Sequence, residues 1–341
     1  MKLITFAVPS YNSEAYLHKC LDSLLIGGED IEIIIVNDGS TDTTSKIADD
    51  YQKQYPSIVK VIHKENGGHG SAVNAGQDAA TGMYFKVVDS DDWVNQRALK
   101  ILLRTIKEHT LNGNIVDLYI NNFIYDKIDT FESYTRNFRK NFPVDQICTW
   151  KDVKPFYMSS VLLMHSLIYR TEVLKTSNTQ LPEHTFYVDN IFAYKPLPYT
   201  NTIFYIDIDL YHYYIGRSDQ SVNINNIVKR YEQQIRVMKS MIDAYTFDEI
   251  NEMHTGLRKY MKHCLSAIMA TTIMFTTAKE SEERRQNLEQ LWDYIRRNDL
   301  KMYRMLRHRS ISSPLNYVPW KLRGKLMISG YKYLRKKIKL G

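Results

Sequence analysis

Over its first hundred residues the chain alternates apolar runs with amphipathic stretches. "LITFAV" is an apolar run that stops at Pro9. A helix is expected from about Ser13, because Leu17, Cys20, Leu21, Leu24 and Leu25 recur on one face; Asn12 or Ser13 is its natural cap. "IEIIIVND" is almost continuously apolar, as a strand covered on both faces should be. A second helix is expected over 42–55, then a strand at "IVKVIH", a glycine-rich turn, a helix reaching Gly82 and a strand at "MYFKVVD". This alternation predicts an α/β fold with a doubly wound, mostly parallel sheet. Such sheets bind ligands beyond the carboxyl ends of their strands.

The stretch 110–224 is less regular, with strand-like "VDLYINNFIY", "HSLIYR" and "TIFYIDIDLYHYYI" between polar loops. From about Asn226 the spacing turns helical, through Ile227, Tyr231, Ile235, Met238, Met241, Ile242 and Tyr245. Further helices are expected over 249–278 and 281–297, then a proline-bounded segment at 314–319 and a last basic helix. The division expected is a catalytic domain over 1–224, with a nucleotide-binding half at 1–95 and an acceptor and catalytic half at 96–224, followed by a helical basic region at 225–341.

Charge sharpens that division. Residues 281–341 hold 16 Lys and Arg against 5 Asp and Glu, while the whole chain of 341 residues carries only +7. Trp320, Met327, Ile328, Tyr331, Leu334 and Ile338 fall roughly on one face of the basic end. That pattern fits an interfacial helix drawn to anionic lipid, and equally a solvated helix packed on its own domain. No groove-reading motif accompanies the charge, so nucleic acid is not an expected partner. The three cysteines lack metal spacing, which argues for buried thiols in a reducing compartment. The first apolar run is too short for a signal peptide, and no stretch reaches the ~18 apolar residues that span a bilayer. A cytoplasmic location, peripheral on the inner face of the plasma membrane, is the expectation.

Candidate chemistry concentrates at four strand ends: "PSYN", "NDGSTD", "KENGGHGS" and "DSDD". In a parallel sheet all four lie on one edge. Asp38 can accept hydrogen bonds from a ligand there, or can serve its own turn. Asp89, Asp91 and Asp92 crowd three carboxylates into four residues, an arrangement that repels itself unless a cation is near. Asp92 is also placed to cap a helix after Trp93. The glycine turn resembles a dinucleotide fingerprint through Gly68 and Gly70, but Val73 stands where a third glycine belongs.

In order and spacing, "PSYN", "VNDGSTD", "NGGHGSAVNAG" and "DSDDW" resemble the family 2 glycosyltransferases, which have the GT-A fold. The resemblance is strong over 3–95, weaker to about 222, and absent from the C-terminal third. It implies a metal-dependent, inverting transfer of a sugar from a nucleoside diphosphate donor, usually UDP-linked, to a hydroxyl of a glycan or lipid-linked acceptor in bacterial cell-surface polymer synthesis. Donor binding is implied for Pro9, Tyr11, Asp38, Lys64, Asn66, Gly67, Ser71, Asn74, Asp89, Ser90 and Asp91. Many members carry arginine where this chain has Val73, so Lys64 or His69 is a candidate replacement. Asp89 and Asp91 form a D-x-D element for Mn²⁺ or Mg²⁺, hard cations that prefer carboxylate oxygens; His212 is a further candidate ligand. "LPEHTFYVDNIFAYK" resembles an acidic motif of which only Asp189 keeps its carboxylate in place, so Asp189 is the expected base and Glu183 a sugar contact. "YHYYIGRSDQSV" resembles a loop that closes over the diphosphate with Arg217, Gln220 and Ser221. His165, in an apolar run, reads as a packed residue. Two other classes stay open: a nucleotidyltransferase, which usually carries a glycine-rich N-terminal loop that "PSYN" replaces, and a non-catalytic glycan-binding or partner-binding protein on the same fold.

Overall fold

The structure is a computed structural model and describes residues 2–127, 132–157, 160–216, 224–326 and 329. The chain divides into two compact units. The first comprises residues 1–153 and 162–215, the second 154–161 and 216–341.

The first unit begins with β1 (Ile4–Ser10), α1 (Leu17–Leu25), β2 (Ile31–Asp38), α2 (Thr44–Gln54), β3 (Val59–Lys64), α3 (His69–Asp78) and β4 (Tyr84–Val87). It continues with β5 (Trp93–Val94), α4 (Gln96–Leu111), β6 (Leu118–Lys127), β7 (Ser133–Arg136), β8 (Ile147–Cys148), β9 (Leu167–Arg170), α5 (Thr171–Thr176), α6 (Asp189–Tyr194) and β10 (Ile203–Ile215). These strands form one sheet in the order β3-β2-β1-β4-β9-β6-β10-β5, with β7 beside β6 and β8 beside β10. Strands β3, β2, β1 and β4 are mutually parallel, and β6 and β10 are parallel to each other. β9 runs antiparallel between β4 and β6. The sheet is therefore mixed. β9 thereby delivers an N-terminal end to the edge where β1 to β4 deliver carboxyl ends. Every residue of β1 and β2 is buried, the burial that a sheet covered on both faces requires.

Two expected boundaries move. α1 starts at Leu17, with Tyr16 at its N-cap and no side-chain cap bond. Asn12 instead adopts a left-handed φ of 48°, and its Oδ1 accepts from the Thr41 N–H at 2.9 Å. The Ser13 hydroxyl bonds Ser90. Both expected caps are used to tie loops together along the sheet edge. The helix expected to reach Gly82 ends at Asp78.

The second unit is helical: α7 (Ile224–Lys229), α8 (Tyr231–Asp243), α9 (Phe247–Glu252), α10 (Thr255–Thr277), α11 (Glu282–Asn298) and α12 (Leu300–His308). The periodic stretch after Asn226 breaks at Arg230, and the helix expected over 249–278 breaks before Thr255, where the His254 side chain accepts from the Gly256 N–H. α10 is 23 residues long, but Thr272, Thr276 and Thr277 back-bond to carbonyls four residues earlier, and much of it is buried. No helix among the described residues is long and apolar enough to cross a membrane. Residues 320–326 continue as helix with Leu322 and Leu326 exposed. Met327, Ile328, Tyr331, Leu334 and Ile338 lie outside the described residues.

Candidate active site

The four polar strand ends meet on one edge of the sheet. Asp38, at the end of β2, is 2% exposed, and its carboxylate is spent largely on the neighbouring loop. Oδ1 accepts from Lys64 Nζ at 2.8 Å and from the Gly67 N–H at 2.9 Å, and Oδ2 accepts from the Gly68 N–H at 2.7 Å. Asn66 Nδ2 donates to the Asp38 carbonyl at 2.9 Å. Four residues expected to touch a donor thus hold one another, and only Oδ2 keeps a lone pair to spare. Pro9 is buried within β1, whereas Tyr11 is 53% exposed beside it.

At the end of β4 the three carboxylates separate into distinct environments. The Asp89 Oδ1 lies 2.8 Å from His69 Nε2 at the start of α3. Burial pushes the Asp89 carboxyl up, but the charge and hydrogen bond of His69, with His165 and Lys86, hold it below the usual range. Burial likewise lowers the His69 imidazole, and Asp89, Asp189 and Asp91 more than reverse this. Asp91 is half-buried. Asp92 is 1% exposed; its Oδ2 accepts from the Tyr211 hydroxyl at 2.5 Å and its Oδ1 from the Tyr214 N–H at 2.8 Å. Burial, then the charges of Asp91 and Asp89, push its carboxyl well above the ordinary range. Asp92 is therefore no helix cap. Strand β5 intervenes, and the Asn95 side chain caps α4 by accepting from the N–H groups of Arg97 and Ala98. Tyr211 reaches the site because the β6–β10 register shifts just before it, and such bulges re-aim side chains.

The chain itself supplies a buried amine near Asp89. Lys86, on β4, is fully buried, with Nζ 2.6 Å from the His165 carbonyl oxygen and 3.4 Å from the Leu167 carbonyl oxygen. Burial pushes its ammonium down to about 7, against the opposing charge of Asp89. His165 stands where the antiparallel β9 begins, 6% exposed, its ring stacked on Tyr211 with centroids 4.7 Å apart. Burial pushes its imidazole down to about 4, so the ring is neutral, and its Nδ1 has no hydrogen-bond partner. The sequence marks Lys86 only as a lysine inside the apolar run "YFKVV", and His165 reads there as a packed residue; its place beside Lys86 is hidden because β9 pairs with strands distant in the chain.

Donor atoms of Asp89, Asp92 and His165 lie within 4.8 Å of one another. The Asp89 carboxylate and the neutral His165 imidazole, with its unpartnered nitrogen, suit a divalent cation such as Mn²⁺, whereas Asp92 spends both oxygens on Tyr211 and Tyr214. The structure places His212 elsewhere: its Nδ1 is 2.6 Å from Asp126 Oδ2, and its ring stacks on Trp93.

Asp189 is the first residue of α6, one position inside the Val188 N-cap. Burial pushes its carboxyl up to about 6; the His69 charge opposes this and the Asp89 charge adds to it. The two acidic motifs, a hundred residues apart, are thus electrostatic neighbours. Glu183 accepts from the Ser71 hydroxyl at 2.8 Å. Arg217, Gln220 and Ser221 lie outside the described residues.

A sheet in the order 3-2-1-4, with acidic ends on β2 and β4 and a third carboxylate entering from a later loop, is the arrangement of the GT-A fold. Residues 5–166, a little under half of the chain, match the model of glycosyl transferase family 2, and that segment belongs to the family. Among curated relatives it is 31% identical to the protein EpsH of Bacillus subtilis (strain 168) over 245 residues, covering 68% of this chain and 64% of EpsH. The chain thus spans under two thirds of that relative's length. Among solved structures it superimposes on S. aureus TarS 1–349 in complex with UDP-GlcNAc, with a TM-score of 0.67 and 21% identity, over 98% of this chain and 92% of that one. The mannosyltransferase PcManGT from Pyrobaculum calidifontis, in complex with GDP-Man and Mn²⁺, aligns with a TM-score of 0.51 and 13% identity, over 92% and 88% of the two chains.

Proposed function

We propose that the chain is a metal-dependent, inverting glycosyltransferase that moves a sugar from a UDP-linked donor to a hydroxyl of a glycan or lipid-linked acceptor. The observation that carries this reading is the meeting at one sheet edge of the His69–Asp89 pair, 2.8 Å apart, with Asp189 at the start of α6, whose carboxyl burial pushes up to about 6. A base poised slightly below neutral pH is ionised at working pH yet basic enough to take a proton. In the proposed reaction the acceptor hydroxyl gives its proton to Asp189. Its oxygen attacks the anomeric carbon from the face opposite the diphosphate, and the electrons of the broken carbon–oxygen bond leave on the diphosphate. Asp89 is common to the D-x-D pair and to the converged donor set, so it is the first residue assigned to the cation. Asp91 is more exposed than Asp92 and completes the side that a diphosphate can reach; His165 Nδ1 is the inward donor. A bound Mn²⁺ or Mg²⁺ would supply charge neutralisation of the departing diphosphate. TarS, solved with UDP-GlcNAc and with UDP, supports a uridine donor.

Incubation with a panel of UDP-sugars should release UDP slowly, faster with Mn²⁺ than with chelator. Pyrophosphate release from a nucleoside triphosphate would favour a nucleotidyltransferase instead. No turnover with any donor, alongside retained glycan affinity, would favour a binding protein.

The basic end, proposed to lie on the inner membrane surface, is tested separately. The exposed Leu322 and Leu326 among Lys321, Arg323 and Lys325 support the reading. The full chain should cosediment with vesicles of phosphatidylglycerol but not of phosphatidylcholine, and high salt should release it. Equal partition to both would remove the electrostatic part of the proposal.

A further inference from the structure

Helix α3 turns three polar side chains toward the loop that precedes Asp189. Asn74 grips one residue of that loop from both sides: its Oδ1 accepts from the Leu181 N–H at 2.9 Å and its Nδ2 donates to the Leu181 carbonyl at 2.9 Å. One turn further on, Gln77 Nε2 donates to the Thr179 carbonyl at 3.1 Å. One turn earlier, the Ser71 hydroxyl donates to Glu183 Oε1 at 2.8 Å. Ahead of the helix, the His184 N–H donates to the Gly67 carbonyl at 2.7 Å. The two chains lie so close that a Cβ on Gly70 would sit 2.8 Å from the Pro182 oxygen. At Gly68, with φ +83°, a Cβ would come within 3.1 Å of the His184 nitrogen.

The gripped loop is strained. Asn178, His184 and Tyr187 all take positive φ, at 46°, 46° and 65°, without being glycine. Such backbone persists only where its surroundings over-determine it. Two residues after Tyr187 comes Asp189.

We infer that Asn74, flanked by Ser71 and Gln77, is a positioning residue that holds the loop 178–188 in its strained path and thereby sets the Asp189 carboxylate. This rests on Asp189 being the base of the proposed transfer. It moves Asn74 and Ser71 away from the donor contacts that their motif suggested. The amide oxygen and nitrogen of Asn74 both bond Leu181, and the Ser71 proton goes to Glu183. The glycine-rich stretch then does two jobs: its N-terminal half is bound by Asp38, and its helical half carries the base.

The test uses the full chain and three readouts. In Asn74→Ala, hydrogen exchange of peptides covering 178–188 should quicken while β1 and β2 stay protected. Turnover should fall on the order of 10²-fold, the loss that a misplacement of about 1 Å brings. The dissociation constant for UDP and the donor KM should stay within about twofold. Asn74→Asp keeps the acceptor for the Leu181 N–H but sets a carboxylate oxygen against the Leu181 carbonyl, so it should loosen the loop at least as much as Asn74→Ala. If Asn74→Ala does not fold, Ser71→Ala loses a single bond and should show the same split with a smaller drop in turnover. UDP affinity falling in step with turnover would return these residues to the donor site and overturn the inference, as would unchanged exchange of the loop. A wild-type chain inactive on every nucleotide sugar would refute the proposed function instead, and the exchange result would still decide whether the clamp exists.

Discussion

Asp189→Asn is expected to lower sugar transfer by about 10² to 10⁴-fold, the range for a positioned base, while UDP affinity stays within about twofold. The amide keeps the shape and the place at the start of α6 but cannot take a proton. The same carboxyl sets a pH dependence. Because burial pushes it up to about 6, it is ionised above that pH and protonated below it. Wild-type kcat/KM should therefore rise with pH through about 6 and level off above, falling tenfold per unit on the acid side. The residual activity of Asp189→Asn should lack that limb. A variant that keeps half the wild-type rate, or the same acid limb, would remove Asp189 from the reaction.

Loss of a carboxylate at the end of β4 should have the second large effect, and the three should not be equal. Asp89→Ala and Asp91→Ala are expected to abolish stimulation by Mn²⁺, lowering turnover on the order of 10³-fold, which is what several kcal/mol of lost charge stabilisation amounts to. Mn²⁺ affinity, read by titration calorimetry or by the spectrum of the bound ion, should fall with it. Asp92→Ala should act on stability instead. It leaves the Tyr211 hydroxyl and the Tyr214 N–H without their acceptor, a loss of about 1–3 kcal/mol of folding stability, and the folded fraction should keep its metal response. Equal loss of Mn²⁺ binding in Asp92→Ala and Asp91→Ala would move the cation inward, to the set made by Asp89, Asp92 and His165.

The parts of this site legible in the sequence are those that sit at the ends of locally recognisable strands. Asp38 and Asp89 follow apolar runs whose parallel arrangement the strand–helix alternation already implies, so their meeting on one edge could be read before any coordinates. Asp189 was legible through its motif and not through periodicity, since the loop before it has no regular pattern. Lys86 and His165 were not legible as a pair, because β9 runs against the general direction of the sheet and slots between β4 and β6. Periodicity reports which face a residue takes on its own element and says nothing about a neighbour eighty positions away. The division of labour within the glycine-rich stretch was hidden for a related reason. Ser71 and Asn74 have the polarity of ligand contacts, and only the path of a distant loop reveals that Asn74 is spent on the Leu181 backbone and Ser71 on the Glu183 carboxylate. Helix ends in the second unit moved because the breaks at Arg230 and His254 interrupt an apolar stripe that itself continues.

The position of β9 also constrains how the chain can be made. β4 pairs with β1 on one side at once, but its other neighbour is a strand that begins at Leu167. On the ribosome, the stretch that carries Asp38 and Asp89 must wait about eighty residues with one edge of β4 unpaired, and an open apolar edge is a template for wrong pairing. The segment 1–95 therefore holds most of the residues proposed to bind the donor without holding all the strands that complete its sheet. The chemistry is modular along the sequence, and the folding is not.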